Sequence, residues 1–123
     1  MAHISRIVAA RIAEAAGEIR SARLLLAEVT SEMEALMASG QDPDLSFRVE
    51  TKWKTVYATE LLRRAAERLY RAAGARDTYD RSFIQQLYRD ITTASHHATI
   101  DVDGAAEIFG RVELRLDPGS VLI

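Results

Sequence analysis

The feature that most limits how this chain can fold is a seam of apolar residues in its first third. Ile12, Ile19, Leu26 and Met33 recur every seven residues. Val8, Ala15, Ala22, Val29 and Leu36 form a second series, also seven apart. Steps of three and four keep side chains on one face of an α-helix, because its turn takes about 3.6 residues. On a strand the same residues would scatter over both faces. The seam therefore predicts one helix from about Ser5 to Ala38. A helix that long outgrows one small core and points to a bundle with an extended or intersubunit face. Ala15, Ala16, Gly17 and Ala22 would let a neighbouring helix come close, and plain core packing explains the seam without any ligand.

The rest of the chain repeats the helical pattern. In "ASGQDPDLS", Gly40 suits the residue after a helix end and Pro43 discourages continuation. Asp42 or Asp44 caps a second helix, from about 44 to 73. Its inward face reads Val49, Trp53, Val56, Tyr57, Leu61, Leu62, Ala65, Leu69 and Ala72. The run Arg63, Arg64, Glu67, Arg68, Arg71 reads as a solvated face with pairs at i,i+4, such as Glu60 with Arg64 and Glu67 with Arg71; a phosphate-binding use is the lesser reading. Gly74 marks the next break, and Asp80 is a candidate cap for a third helix ending near His97 or Ala98. Its stripe is Phe83, Ile84, Leu87, Tyr88, Ile91 and Ala94. Asp101 or Asp103 caps a fourth helix, about 103–115, with Ala106, Phe109 and Val112 inward and a tail at 116–123. The expectation is an all-α chain forming one four-helix, bundle-like domain over residues 1–123, antiparallel where the connections are short.

Composition closes off other classes. The 123 residues contain no cysteine, which removes disulfides, thiolate metal sites and cysteine nucleophiles and fits a reducing, cytoplasmic setting. A net charge of −2 gives no general attraction to nucleic acid or anionic membrane. The first twenty residues lack the apolar core of a signal peptide, and no apolar run nears the ~18 residues of a membrane helix.

What chemistry the sequence offers lies in "QLYRDITTASHHATIDVDGAAEIFGR" (86–111). Asp90, Thr93 and His97 share one helical stripe, and Arg89, Thr92 and His96 an adjacent one. The histidines sit at the helix C-terminus, which favours an imidazolium, and an imidazole there can give or take a proton near neutral pH. Taken alone, two histidines before a loop are more often capping or surface residues than catalysts. Metal binding is the weaker reading, since neighbours on a helix point about 100° apart and no third ligand lies at helical spacing, though Asp90 or Asp101 could be invoked.

The stretch "AGARDTYDRSFIQQLYRDITTASHHATIDVDGAAEIFGR" resembles the closing segment of the acyl-CoA dehydrogenase superfamily. More narrowly it resembles the C-terminal domain of the flavin-dependent monooxygenases built on that fold, the oxygenase components of two-component aromatic hydroxylases. That family's last long helix carries an Arg-Asp step, small residues and a histidine eight positions after the arginine; a short helix with an aromatic-glycine pair follows. Here these are Arg89, Asp90, His97, Phe109 and Gly110, with Ala73-Gly74 similar to the preceding turn. "AARIAEAAGEIRSARLLL" resembles an alanine-rich helix of the same family. The tail departs from the family's short glycine-bearing ending.

The resemblance implies a function for the chain as part of a larger enzyme. Family members place a helical domain and a β-barrel before this bundle, and both, with the bundle's first helix, are expected to be missing here. The flavin, FAD or FMN, lies between barrel and bundle with a neighbouring subunit contributing, so the chain alone is expected to hold no cofactor and to catalyse nothing. His97 inherits the position near flavin and substrate, as an acid/base or hydrogen-bonding group. Arg89 and Asp90 are expected to tie helix ends by an ion pair. Homo-oligomers and a flavin reductase are the implied partners. The contrasting expectation is a stand-alone helical oligomerisation module, joined through the first helix, without catalysis.

Overall fold

A computed structural model describes residues 6–74, 81–96 and 101–119. It contains helices α1 (Arg6–Ser39), α2 (Leu45–Gly74), α3 (Arg81–Ser95) and α4 (Val102–Glu113), and no strand among the described residues. The all-α reading holds, and α1 and α2 begin and end one residue later than the sequence predicts. None of these helices is long and apolar enough to cross a membrane.

The ends of the helices follow local chemistry. At α1 the C-terminal glycine, Gly40, takes φ +68°, a left-handed conformation that glycine enters without a Cβ clash. Its N–H donates to Met37 O at 3.3 Å, while Ser39 Oγ donates to Leu36 O at 2.6 Å. Of the two candidate caps for α2, Asp44 is the one used: its Oδ1 accepts from Phe47 N at 2.8 Å. Asp101 caps α4, accepting from Gly104 N at 3.1 Å. The cap expected at Asp80 lies outside the described residues.

Two helices stop short of the expected ends. In α3 the N–H of His96 is shared between Thr92 O and Thr93 O, both at 3.2 Å, and Ser95 Oγ donates to Thr92 O at 2.8 Å. These bonds close the last turn at Ser95, where a Thr-Thr step gives little support for continuing a helix. In α4 the chain turns at Arg115, whose φ is 59°. Leu116 N donates to Arg111 O at 2.8 Å and Arg115 N to Val112 O at 3.0 Å, the paired bonds of a Schellman ending with arginine where glycine is usual.

The packing is centred on α2, which contacts each of the other three helices. Among the described residues α1, α3 and α4 make no close backbone approach to one another. α1 runs antiparallel to α2: Arg68, late in α2, bonds Glu18 at 2.7 Å, while Lys54, early in α2, bonds Glu32 at 3.0 Å late in the length of α1. Between those ion pairs lie Ala22 and Ala58, both fully buried, with Leu61. Small residues on both helices favour the close end of the roughly 8–10 Å range of helix separations. α4 joins the N-terminal half of α2 through Phe109, which stacks on Trp53 at 6.1 Å between ring centres, and Trp53 stacks on Tyr57 at 5.3 Å. α3 joins the C-terminal half through Tyr88 and Tyr70, at 4.5 Å.

Three apolar expectations need correction. Only one series of the α1 seam is covered: Ala15, Ala22 and Val29 are buried, whereas Ile12, Leu26 and Met33 are 49%, 38% and 46% exposed. α2 lies over one flank of the helix and reaches the second series only in part: Ile19 is half-buried, and Met33 borders a groove against α2. Leu69 of α2 is likewise exposed, because no described helix covers that side of it. In α3, Phe83 and Leu87 are exposed and Tyr88 makes the contact with α2.

Candidate functional site

The polar face of α3 is built as the sequence predicts up to its last turn. Asp90 and Thr93 lie on it, both exposed, and His96 is exposed in the turn that follows. His97, the sequence-assigned catalytic residue, lies outside the described residues, and with it the end of the Asp90–Thr93 stripe. Asp90 Oδ1 accepts from Gln86 Nε2 at 2.8 Å, one turn earlier, and no ion pair of Arg89 or Asp90 forms among the described residues. Residues adjacent in a helix point about 100° apart, so the Arg-Asp step cannot pair internally. Among the described residues no group of three His, Cys, Asp or Glu could hold a metal ion.

The aromatic-glycine pair divides its work. Phe109 belongs to the Trp53–Tyr57 ring stack, which fixes α4 on α2. Gly110 has open space where a Cβ would stand, so packing within this chain does not require a glycine there.

Three cavities open along the α1–α2 pair. One of about 530 Å³ is lined by Ile7, Arg11, Arg64, Glu67, Arg68 and Arg71. Each of its arginines is held by a carboxylate: Arg11 by Glu14, Arg64 by Glu60 at 3.2 Å, Arg68 by Glu14 and Glu18 at 2.7 Å, and Arg71 by Glu67 at 2.7 Å. The arginine run is thus a laced surface, with both i,i+4 pairs in place. The field of these cations shows in the carboxylates. Glu60 titrates below the usual carboxylate range, because hydrogen bonds from Arg63 and then Arg64 outweigh the cost of burial. Glu14 is lowered in the same way, first by Arg11.

A second cavity, of about 550 Å³, is apolar and lies beside Met33, Leu36, Pro43, Phe47, Thr51 and Val56. The buried Thr51 Oγ1 finds no hydrogen-bond partner among the described residues. Thr55 and Thr59 instead bond back to the carbonyls of Thr51 and Thr55, at 2.9 and 3.0 Å. The spacing of these three threonines at i, i+4 and i+8 is the sequence signal that could have found this wall. A third cavity, of about 380 Å³, is lined by Ser21, Leu24, Leu25, Glu28, Tyr57 and Leu61. All three are grooves between two helices, and none encloses a ring system as large as a flavin. Each of these three grooves supplies at most one wall for such a group.

Comparison with known proteins gives this arrangement a lineage. Residues 3–102 match the family described as acyl-CoA dehydrogenase, C-terminal domain. The chain is 35% identical over 114 residues to the oxygenase subunit of the flavin-dependent monooxygenase HsaA of Mycobacterium tuberculosis, covering 92% of this chain and 29% of that protein. It is 30% identical over 113 residues to the oxygenase component of p-hydroxyphenylacetate 3-hydroxylase of Acinetobacter baumannii, covering 92% of this chain and 27% of that one. The crystal structure of the HsaA monooxygenase superposes with a TM-score of 0.81 and 29% identity, over 98% of this chain and 32% of that one. The chain thus spans under a third of the length of these relatives. Four helices, a shared sequence pattern over most of the chain and a matching backbone agree: the chain belongs to the acyl-CoA dehydrogenase C-terminal-domain family.

Proposed function

We propose that this chain serves as the C-terminal helical bundle of a flavin-dependent monooxygenase of the aromatic-hydroxylase type. It contributes subunit association and one wall of the flavin and substrate site, and it is not active alone. The observation that carries the reading is the match of nearly the whole chain, in sequence and backbone, to oxygenases that are flavin-dependent. A relative named as an oxygenase component supports a separate reductase as partner, and a soluble, cytoplasmic setting fits the absence of cysteine. A bound flavin would supply activation of oxygen. His97, eight residues after Arg89, would hold or move a proton on the substrate or steady the flavin's polar edge.

The test exchanges the matching segment of the p-hydroxyphenylacetate hydroxylase for this chain. The hybrid should hydroxylate, and His97→Ala should lower product formation about 100-fold, the scale of one acid/base group, with flavin retention unchanged. A hybrid that assembles yet is untouched by His97→Ala removes the role given to His97. In parallel, the purified chain is titrated with FMN and with FAD. Saturable binding at tens of micromolar flavin would show a complete pocket in the chain alone and overturn the dependent role.

The second reading, a helical association module without catalysis, draws on the uncovered apolar series of α1. It predicts a hybrid that assembles and never hydroxylates.

A further inference from the structure

We infer that Tyr70 and Tyr88 are positioning residues: their stack selects the rotation that α3 takes on α2, and so which of its stripes faces outward. The inference deepens the role proposed above for His97 and rests on it, since the chain reaches His97 two residues after α3 ends.

The stripes of α3 are unequally suited to burial. Gln85, Tyr88, Ile91, Thr92 and Ser95 are half-buried, and steps of three and four set them on one face. That face lies against α2, the helix that α3 approaches among the described residues. Three of its five side chains are polar, and the Ser95 hydroxyl is spent on Thr92 O at 2.8 Å. Phe83, Leu87 and Ala94 share a neighbouring stripe, which Asp90 borders, and all four are exposed, Phe83 by 66%. Apolar burial alone would turn that stripe onto α2, because phenylalanine and leucine gain more from leaving water than glutamine, threonine or serine.

The tyrosine pair opposes that roll. Its ring centres lie 4.5 Å apart with planes 14° from parallel, so two large rings are covered at once and their stacking adds to the gain. A roll of one residue, about 100°, would put Leu87 in the place of Tyr88, Ala94 in that of Ser95 and Asp90 in that of Ile91. The stack would break, and Asp90 would turn from solvent to the edge of α2. The pair therefore keeps the Asp90–Thr93 stripe outward and sets the direction in which the chain leaves α3.

The chain has no cysteine, so a single introduced thiol reports the rotation through its rate with a thiol reagent, which follows exposure. With both tyrosines in place, Ala94→Cys should react faster than Thr92→Cys. Adding Tyr70→Ala should reverse that order, and Tyr70→Phe, which keeps the ring, should preserve it. Both thiols faster would mean that α3 leaves α2, and neither changed that the stack does not set the rotation; either overturns the inference. Circular dichroism checks the fold, and if Tyr70→Ala loses helicity, Tyr70→Leu replaces it. In the hybrid hydroxylase, Tyr70→Ala should lower kcat about tenfold, less than removal of the imidazole, while Tyr70→Phe stays near the parent. A reversed thiol order with kcat unchanged overturns the positioning role. A hybrid untouched by His97→Ala removes the role of His97 and the positioning role with it, while the thiol order still decides the rotation.

Discussion

The two flanks of α1 carry the same heptad and meet opposite fates. On the flank toward α2, Ala15 and Ala22 are almost wholly buried, and four carboxylates each find a cation on α2. On the other flank larger residues, Ile12, Leu26 and Met33, stay half in solvent beside Arg20 and Glu34, which have no described partner. The larger side chains are the exposed ones. Residue size therefore does not decide which series is covered; the match of small residues and charges across the interface does.

Substitutions should separate the flanks. Ala22→Leu forces three extra carbons between α1 and α2 and should cost about 1–3 kcal/mol by chemical denaturation. Leu26→Ala, on the open flank, should change monomer stability by no more than about 0.5 kcal/mol. Equal costs would mean that both flanks are covered in the monomer. Lys54→Gln removes the cation shared by Glu28, Glu32 and Glu50, at 3.3, 3.0 and 3.3 Å. Although burial disfavours its charge, bonds to Glu32, Glu28 and Glu50 hold its pKa above the ordinary lysine value. The loss should be about 1–2 kcal/mol, for bonds to a charged group whose partners remain partly solvated.

The smallest effect is a pH dependence. Arg11 holds the Glu14 carboxyl below its usual 4.5. The unfolded chain then binds the proton more readily, so this contribution is complete above pH 4.5 and is lost as pH falls through the lowered folded value. Glu14→Gln should flatten the acid limb of the stability curve, followed by chemical denaturation across acid pH. An acid limb unchanged by Glu14→Gln would show that Arg11 does not hold this carboxylate in the folded chain.

Much of the fold was legible in the sequence because helix existence depends on local periodicity. Gly40, Asp44 and Asp101 marked their ends through chemistry confined to a few residues. What stayed hidden was which neighbour each apolar face would meet. Phe83 and Leu87 share a clear stripe, yet both are exposed, and Tyr88 is the described α3 residue that stacks on α2. Arg115 ends α4 in a conformation for which glycine is the usual signal, so the sequence suggested a longer helix. The candidate site was legible only as far as its helix: the motif placed Asp90 and Thr93 on one polar face, while Gln86 as the partner of Asp90 came from a one-turn spacing that the Arg-Asp step obscured.

The central place of α2 bears on how the molecule comes apart. α1, α3 and α4 each rest on α2 and, among the described residues, not on one another. Any of the three can therefore detach without exposing the contacts of the other two. Among the described residues, cooperativity between them passes through the middle helix, and it is the last element whose amides should open to solvent exchange. A peripheral helix could then adjust to a neighbouring subunit while the rest of the scaffold keeps its shape.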